Sequence, residues 1–156
     1  MEIRQATEED LPAIVDLWWE MQSSHNSYDQ KFYETKSEDR CRELAMIYFS
    51  KMVNEEDHLI LVAGDFGKVI GLVHMEIAMK PPVLRLERFA SIREVVVAES
   101  HRRRGTFGQL LNYGWAYLRR RNIRLVEAMV DVGNPAIRAY ERQGFIPRQQ
   151  LMIAWV

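Results

Sequence analysis

The sequence predicts a mixed α/β fold: a sheet flanked by helices, with antiparallel strands first and a βαβ crossover later. Three observations predict it. The chain has 156 residues, 47% of them apolar. That is the length of one ordinary domain, able to bury roughly 70% of its unfolded surface without a disulfide or a metal. The apolar spacing is helical over the first third of the chain and becomes strand-like from His58 onward. The C-terminal half then reads strand, helix, strand, helix, strand.

Each element has a local cause. Glu2 to Ala6 reads as a short strand. Asp10 is expected to cap a helix with Pro12 in its first turn, where a missing N–H is tolerated. Leu11, Ile14, Val15 and Trp18 recur on one face of it. Ser23 to Lys36 lacks periodicity and reads as a loop. A second helix is expected from about Ser37 to Val53, with Cys41, Leu44, Ala45 and Tyr48 on one side. Leu59–Ala63 and Lys68–Met79 are strand-like runs separated by Gly64-Asp65-Phe66-Gly67, which is hairpin chemistry. Pro81-Pro82 marks a loop before a third run, Arg85 to Ala98. A helix over Thr106–Arg121 would bury Phe107, Leu110, Leu111, Trp115 and Leu118. A strand over Leu125–Val130, a short helix over Pro135–Gln143 and a last strand over Phe145–Val156 complete the expected order.

Composition narrows the function classes. The net charge is −1, yet residues 1–60 carry a net of −8 and residues 61–156 a net of +7. Between Ser100 and Val126 stand seven arginines and no carboxylate. A cationic stretch beside an acidic half suits a two-substrate enzyme, and equally a nucleic-acid binder with a compensating acidic face. No apolar run reaches the roughly 18 residues of a membrane span. No secretory leader is visible at Met1-Glu2-Ile3-Arg4-Gln5, and one cysteine, Cys41, cannot form an internal disulfide. A cytoplasmic setting and no membrane partner are expected. No metal-ligand spacing stands out.

The stretch richest in chemistry is Val95-Val96-Val97-Ala98-Glu99-Ser100-His101-Arg102-Arg103-Arg104-Gly105-Thr106-Phe107-Gly108. A strand runs into a basic, glycine-containing turn that opens a helix. Unpaired N–H groups, the positive end of the helix dipole and three arginines make this an anion site, suited to phosphate. It lacks the Gly-Lys-Ser/Thr of a Walker loop and the three-glycine spacing of a dinucleotide fingerprint. Taken alone, a solvated basic turn explains it equally well. A second stretch, Asn134-Pro135-Ala136-Ile137-Arg138-Ala139-Tyr140-Glu141-Arg142-Gln143-Gly144-Phe145, reads as a short helix. Asn134 is its expected N-cap, Pro135 its first residue and Gly144 its left-handed exit. Tyr140 lies near its middle, where packing is the commoner role for a tyrosine.

Together the two stretches resemble the coenzyme-binding motifs of the GNAT superfamily of acetyl-coenzyme A-dependent N-acetyltransferases. The first resembles Gln/Arg-x-x-Gly-x-Gly/Ala, and the second resembles a motif ending in Tyr-x-x-x-Gly-Phe. Ile3-Arg4-Gln5-Ala6-Thr7-x-x-Asp10 is similar to the family's opening strand and helix. The element order follows the family over nearly the whole chain, which implies a single N-acetyltransferase domain over residues 1–156. The implied sheet is mixed and mostly antiparallel, with the fourth and fifth strands splayed and about four helices around it.

The resemblance implies acetyl-CoA as co-substrate, its pantetheine arm along Val95, Val96 and Val97. Its pyrophosphate would lie on Arg102, Arg103, Arg104, Gly105, Thr106, Phe107 and Gly108, with Asn134 and Tyr140 as further contacts. A fourth-strand bulge would present a backbone N–H to the thioester carbonyl. An amine would attack the thioester directly in a ternary complex. Glu94 would be the general base and Tyr140 the acid that protonates the departing thiolate. Strict alternation puts Glu94 and Val96 on one face, but a bulge breaks it, leaving open which of Ser91, Arg93 and Glu94 faces the acceptor.

The sequence departs from the motifs at two points. The last small position of the first falls on Phe107, with Gly108 one residue late; a phenylalanine there either crowds the pyrophosphate or turns into the core. Asn134 stands six residues before Tyr140, where many relatives have it seven before, so Gly133 takes that place. On the acceptor side, His25, Tyr28 and Asp29, with Phe32 and Tyr33, suit a cationic amine of a small molecule, peptide or protein through charge and cation–π contact. A polar loop with anchoring aromatics accounts for them equally. The alternative function is an acyl-CoA-binding module with weak or no catalysis. Nucleic-acid binding through Arg102–Arg104 and Arg119–Arg121 is disfavoured, because Tyr113, Trp115 and Tyr117 are partly claimed by the helix core. Pairing of Leu151–Val156 across a homodimer stays open.

Overall fold

The computed structural model describes residues 1–156. Strands β1 (Glu2–Gln5), β2 (His58–Asp65), β3 (Lys68–Met79), β4 (Arg88–Val97) and β5 (Val126–Ala128) form one sheet in the order β1-β2-β3-β4-β5. Neighbours from β1 to β4 are antiparallel, and β5 runs parallel to β4. Helices α1 (Leu11–Ser24) and α2 (Glu38–Met52) cover one face. Helices α3 (Thr106–Arg120) and α4 (Ile137–Arg142) pack on the other. The mixed, mostly antiparallel sheet and its four helices are those expected from the sequence.

Two cores follow from the strand period. Leu59, Leu61 and Ala63 of β2 and Val73, Met75 and Ile77 of β3 point toward α3, where Leu110, Leu111 and Leu118 meet them. Ile60, Val62 and Leu72 point the other way, against Leu11, Ile14, Val15, Ala45 and Phe49. Covering both faces is why β2 reads as one continuous apolar run rather than an alternation. Gly71 brings α3 close: a Cβ there would stand 3.1 Å from Leu110 Cδ1 and 3.3 Å from Ala63 Cβ. The β2–β3 hairpin turns on Phe66 and Gly67, both at positive φ (47° and 77°), as a two-residue turn matched to strand twist requires.

Several expectations are corrected. Asp10 does not cap α1. Its buried carboxylate accepts from both Arg4 guanidinium nitrogens (2.7 and 2.8 Å) and from the Thr7 N–H (2.8 Å), at the end of a short 3-10 turn that leads into the helix. An arginine outcompetes α1's own amides because it brings opposite charge. α1 runs through Ser23 and Ser24, shortening the connector. The buried face of α2 is Cys41, Ala45 and Phe49, while Leu44 is exposed; the stripe turns toward the larger ring. β4 starts at Arg88 rather than Arg85, and β5 is three residues long rather than six. α4 starts at Ile137, because Asn134 Oδ1 accepts from Ala136 N–H (2.8 Å) and closes a separate turn first. Gly144 does exit α4 left-handed, at φ 88°.

The largest correction is at the C-terminus. Phe145–Val156 forms no strand, and Leu151, Met152, Ile153 and Trp155 are exposed. An extended segment becomes a strand only against a partner edge, and β5 offers three residues of one. Trp155 instead sits under the Lys31 ammonium, 4.0 Å from the ring centroid.

Candidate active site

The sheet is held together unevenly at β4. On the β5 side, pairing covers only Ala90–Ile92 against Val126–Ala128. Beyond Ile92 the strands part, so Glu94 to Val97 pair with β3 on one edge and with no strand on the other. The opening begins at an irregularity in β4: Met75 pairs with Ile92, and His74 with Glu94, leaving Arg93 as an extra, bulged residue. An open strand edge with a bulge at its root offers an extended ligand backbone donors and acceptors.

The bulge also settles which side chains face α1 and α2. Glu94 pairs with His74 and Val96 with Leu72, whose side chain lies in the core under these helices. Ser91 pairs with Glu76, and the Arg93 guanidinium lies 3.6 Å from the Glu76 carboxylate. The extra residue therefore brings Ser91, Arg93 and Glu94 to the same side. Val95 and Val97 pack on the opposite core. Glu94 is largely buried (15% exposed), and its Oε2 is 2.5 Å from His74 Nδ1. The other ring nitrogen, Nε2, is 2.8 Å from His58 Nδ1. Tyr48 of α2 packs against His74, their ring centroids 5.7 Å apart, and burial raises its hydroxyl pKa.

After β4 the chain makes a 3-10 turn (Glu99–His101) and enters α3 through Gly105 at φ 80°, preceded by Arg103 at φ 60°. No side chain caps α3. The first intrahelical bond is Gln109 N–H to Gly105 C=O, so the amides of Thr106, Phe107 and Gly108 have no helical acceptor. Arg103 and Arg104 are exposed beside them. Arg102 is occupied: its Nε donates to Val97 C=O (2.9 Å) and its guanidinium pairs with Glu20 of α1 (2.6 Å). It braces the turn against both layers. Phe107 turns inward rather than into the turn, and Gly108 leaves room for the Gln143 side chain, 3.1 Å from where a Cβ would lie.

Tyr140 of α4 lies across the same core. Its ring contacts Phe107 edge-on (5.2 Å between centroids) and Phe145 edge-on (5.1 Å). The residue is 7% exposed, and burial alone pushes its pKa well above the ordinary phenol value, so the hydroxyl keeps its proton. Asn134 serves the turn before α4 through its side-chain carbonyl.

The α1–α2 connector brings His25, Tyr28, Phe32 and Tyr33 into one aromatic cluster, with centroid separations of 4.8 to 6.3 Å. Tyr33 donates to Asp131, just past β5, at 2.9 Å. Burial, with that bond second, pushes the Tyr33 pKa up to about 12. Burial lowers the pKa of His25, opposed by Asp131. Tyr28 packs where a Cβ on Gly133 would meet it (3.5 Å). Asp29 spends one oxygen capping the Phe32 N–H (2.9 Å). The connector is thus stapled to the segment after β5, across the mouth of the splay. Asp131, Tyr48, His58 and His74 were not visible as site residues in the sequence. For His74 a signal did exist: it alternates with Leu72 on β3, which puts it on the covered face.

The chain matches the acetyltransferase (GNAT) family over residues 11–145. It belongs to that family. A curated relative, the uncharacterized N-acetyltransferase MJ1207 of Methanocaldococcus jannaschii, is 27% identical over 155 residues, or 99% of this chain; the chain spans 64% of that relative's length. Among solved structures, a tetramutant of the BH1408 protein from Bacillus halodurans superposes with a TM-score of 0.85 at 20% identity, over 100% of both chains. The aminoglycoside antibiotic 6'-N-acetyltransferase AAC(6')-IG from Acinetobacter haemolyticus does so with a TM-score of 0.72 at 16% identity, over 100% of this chain and 97% of its own. A protein from Clostridium acetobutylicum described as a predicted acetyltransferase, solved with acetyl-CoA, gives 0.78 at 14% identity, over 98% of this chain and 94% of its own. At these identities the solved structures share the GNAT fold with this chain. No helix is long and apolar enough to cross a membrane.

Proposed function

We propose that residues 1–156 form one N-acetyltransferase domain that moves the acetyl group of acetyl-CoA to a primary amine in a ternary complex. The parting of β4 from β5 after Ile92, directly upstream of the uncapped start of α3, carries this reading. An extended pantetheine arm fits the edge of Val95, Val96 and Val97 that no strand covers, at whose end the Val97 carbonyl is held by Arg102. The amides of Thr106, Phe107 and Gly108, the turn at Gly105 and the charges of Arg103 and Arg104 suit its pyrophosphate. Arg102 supports this turn from behind. Asn134 lends its side chain to the neighbouring turn.

Acetyl-CoA supplies the acetyl group as a thioester. Glu94 takes a proton from the acceptor ammonium, whose ordinary pKa of about 10 leaves little free amine at neutral pH. The bulge at Arg93 turns a backbone N–H toward the thioester carbonyl. Tyr140, held protonated by burial, gives its proton to the departing thiolate. The acidic and aromatic connector, with His25, Tyr28 and Asp29, receives the amine of a small molecule, peptide or protein. A buried lone thiol, Cys41, fits a reducing, cytoplasmic setting.

Thiol release from acetyl-CoA across an amine panel tests the reading. Release that disappears with Tyr140→Phe supports it. Tight coenzyme binding in calorimetry with no amine-dependent release would make the protein an acyl-CoA-binding module instead.

A further inference from the structure

Three polar side chains on three adjacent strands form an unbroken chain through the sheet. Glu94 on β4 meets His74 on β3 (2.5 Å), which meets His58 on β2 (2.8 Å). The middle ring is 0% exposed and lies against Phe49 and Tyr48. A histidine there is costly unless both nitrogens are bonded, and both are. The two rings are arranged differently from a packing pair: they touch through nitrogen, nitrogen to nitrogen. His58 is half-buried and lines a cavity of about 460 Å³ with Glu55, Asp57, Arg88 and Arg121.

Hydrogen-bond accounting gives this chain a direction. A carboxylate only accepts, so His74 Nδ1 carries the hydrogen toward Glu94. With a neutral His74 the ring has a lone pair at Nε2, and His58 Nδ1 is the donor to it. Burial, and then the neighbouring His74, lower the His58 pKa, consistent with a neutral His58 that has one N–H to give. Each bond selects the tautomer of the next ring.

We propose that His74 and His58 are positioning residues for Glu94: His58 fixes the tautomer of His74, and His74 holds one Glu94 oxygen so that the other faces the acceptor amine. The inference rests on Glu94 being the base of the acetyl transfer. It adds two residues that never touch either substrate. An untethered glutamate on a bulged strand has three free torsions. Tied at Oε2, it keeps one orientation, and Oε1, which makes no other hydrogen bond, is left to accept a proton.

Two kinds of measurement test it. Nitrogen-15 spectra of the imidazoles read the tautomer in the intact protein, without turnover. The expected result is a hydrogen on His74 Nδ1 and on His58 Nδ1; a His74 that carries its hydrogen on Nε2 overturns the proposal. In steady state, His58→Leu is expected to lower kcat roughly tenfold, within the 10- to 100-fold range of such outer partners, with KM for both substrates within about twofold. His58→Gln keeps a donor and should restore most of kcat. In a Glu94→Gln background, His58→Leu should add nothing. Unchanged kcat in His58→Leu, or a full extra tenfold loss in the double variant, overturns it. If the wild type turns over no amine, the acetyl-transfer reading fails, while the nitrogen spectra still decide between the two tautomers.

Discussion

Phe107 and Tyr140 meet edge to face, their ring centroids 5.2 Å apart and their planes at 78°. One ring comes from the first turn of α3 and the other from α4, so a single contact joins the coenzyme turn to the proposed acid. Phe107 is a wedge between the two helices, and the turn itself stays clear of its ring.

Tyr140→Phe keeps both edge contacts and removes only the hydroxyl. Thiol release is expected to fall at least roughly 100-fold in kcat. Melting should shift by no more than about 3 °C. Phe107→Ala should do the reverse in calorimetry, costing about 2–3 kcal/mol of stability for a partly buried ring.

Glu94→Gln is isosteric and keeps an acceptor for His74. Its kcat is expected to drop roughly 100-fold while the KM for acetyl-CoA holds, because the glutamate faces α1 and α2 rather than the coenzyme edge. A matched loss in acetyl-CoA affinity by calorimetry would move Glu94 out of the base role.

The three arginines should separate by experiment. Arg103→Ala and Arg104→Ala are expected to weaken acetyl-CoA by roughly tenfold each at low salt, with less effect at high salt. Arg102→Ala should act mainly on melting, since its guanidinium already pairs with Glu20 and Val97 C=O.

Asp10 makes stability depend on acid. The Arg4 guanidinium, with the Thr7 amide, holds its pKa below the ordinary 3.8 despite burial. The unfolded chain therefore takes up the proton first. The contribution is complete above the unfolded pKa and is lost as pH falls through the folded one. Asp10→Asn should lower urea-measured stability by about 2 kcal/mol at pH 7 and flatten the loss below pH 4.

Gly71→Val tests the fit of α3 on β3. The added carbons meet Leu110 and Ala63 at distances under ordinary contact. A loss of about 1–3 kcal/mol is expected, seen as a melting temperature lower by roughly 3–10 °C.

Much of this was legible in the residues. The helix starting near Ser37, the hairpin at Phe66-Gly67, the apolar stripe of α3 and the left-handed exit at Gly144 each have a cause within a few positions of chain. So did the basic turn before Thr106 and the tyrosine of α4. The first motif even exposed the question of Phe107, though not its answer, since a ring at that position has two directions open to it until a neighbouring helix takes one.

What the chain determined alone is local: which segments coil, which extend, and where an uncapped helix start meets clustered arginine. Side-chain period and backbone sterics act over a few residues, so a one-dimensional reading captures them. Only tertiary structure decided that Arg93 is the bulged residue, that Glu94 turns toward α1 and α2, and that it meets His74 and, through it, His58. It also decided that Phe145–Val156 finds no edge to pair with. Each of these depends on register between strands distant in sequence, and one residue of slip moves a side chain to the opposite face.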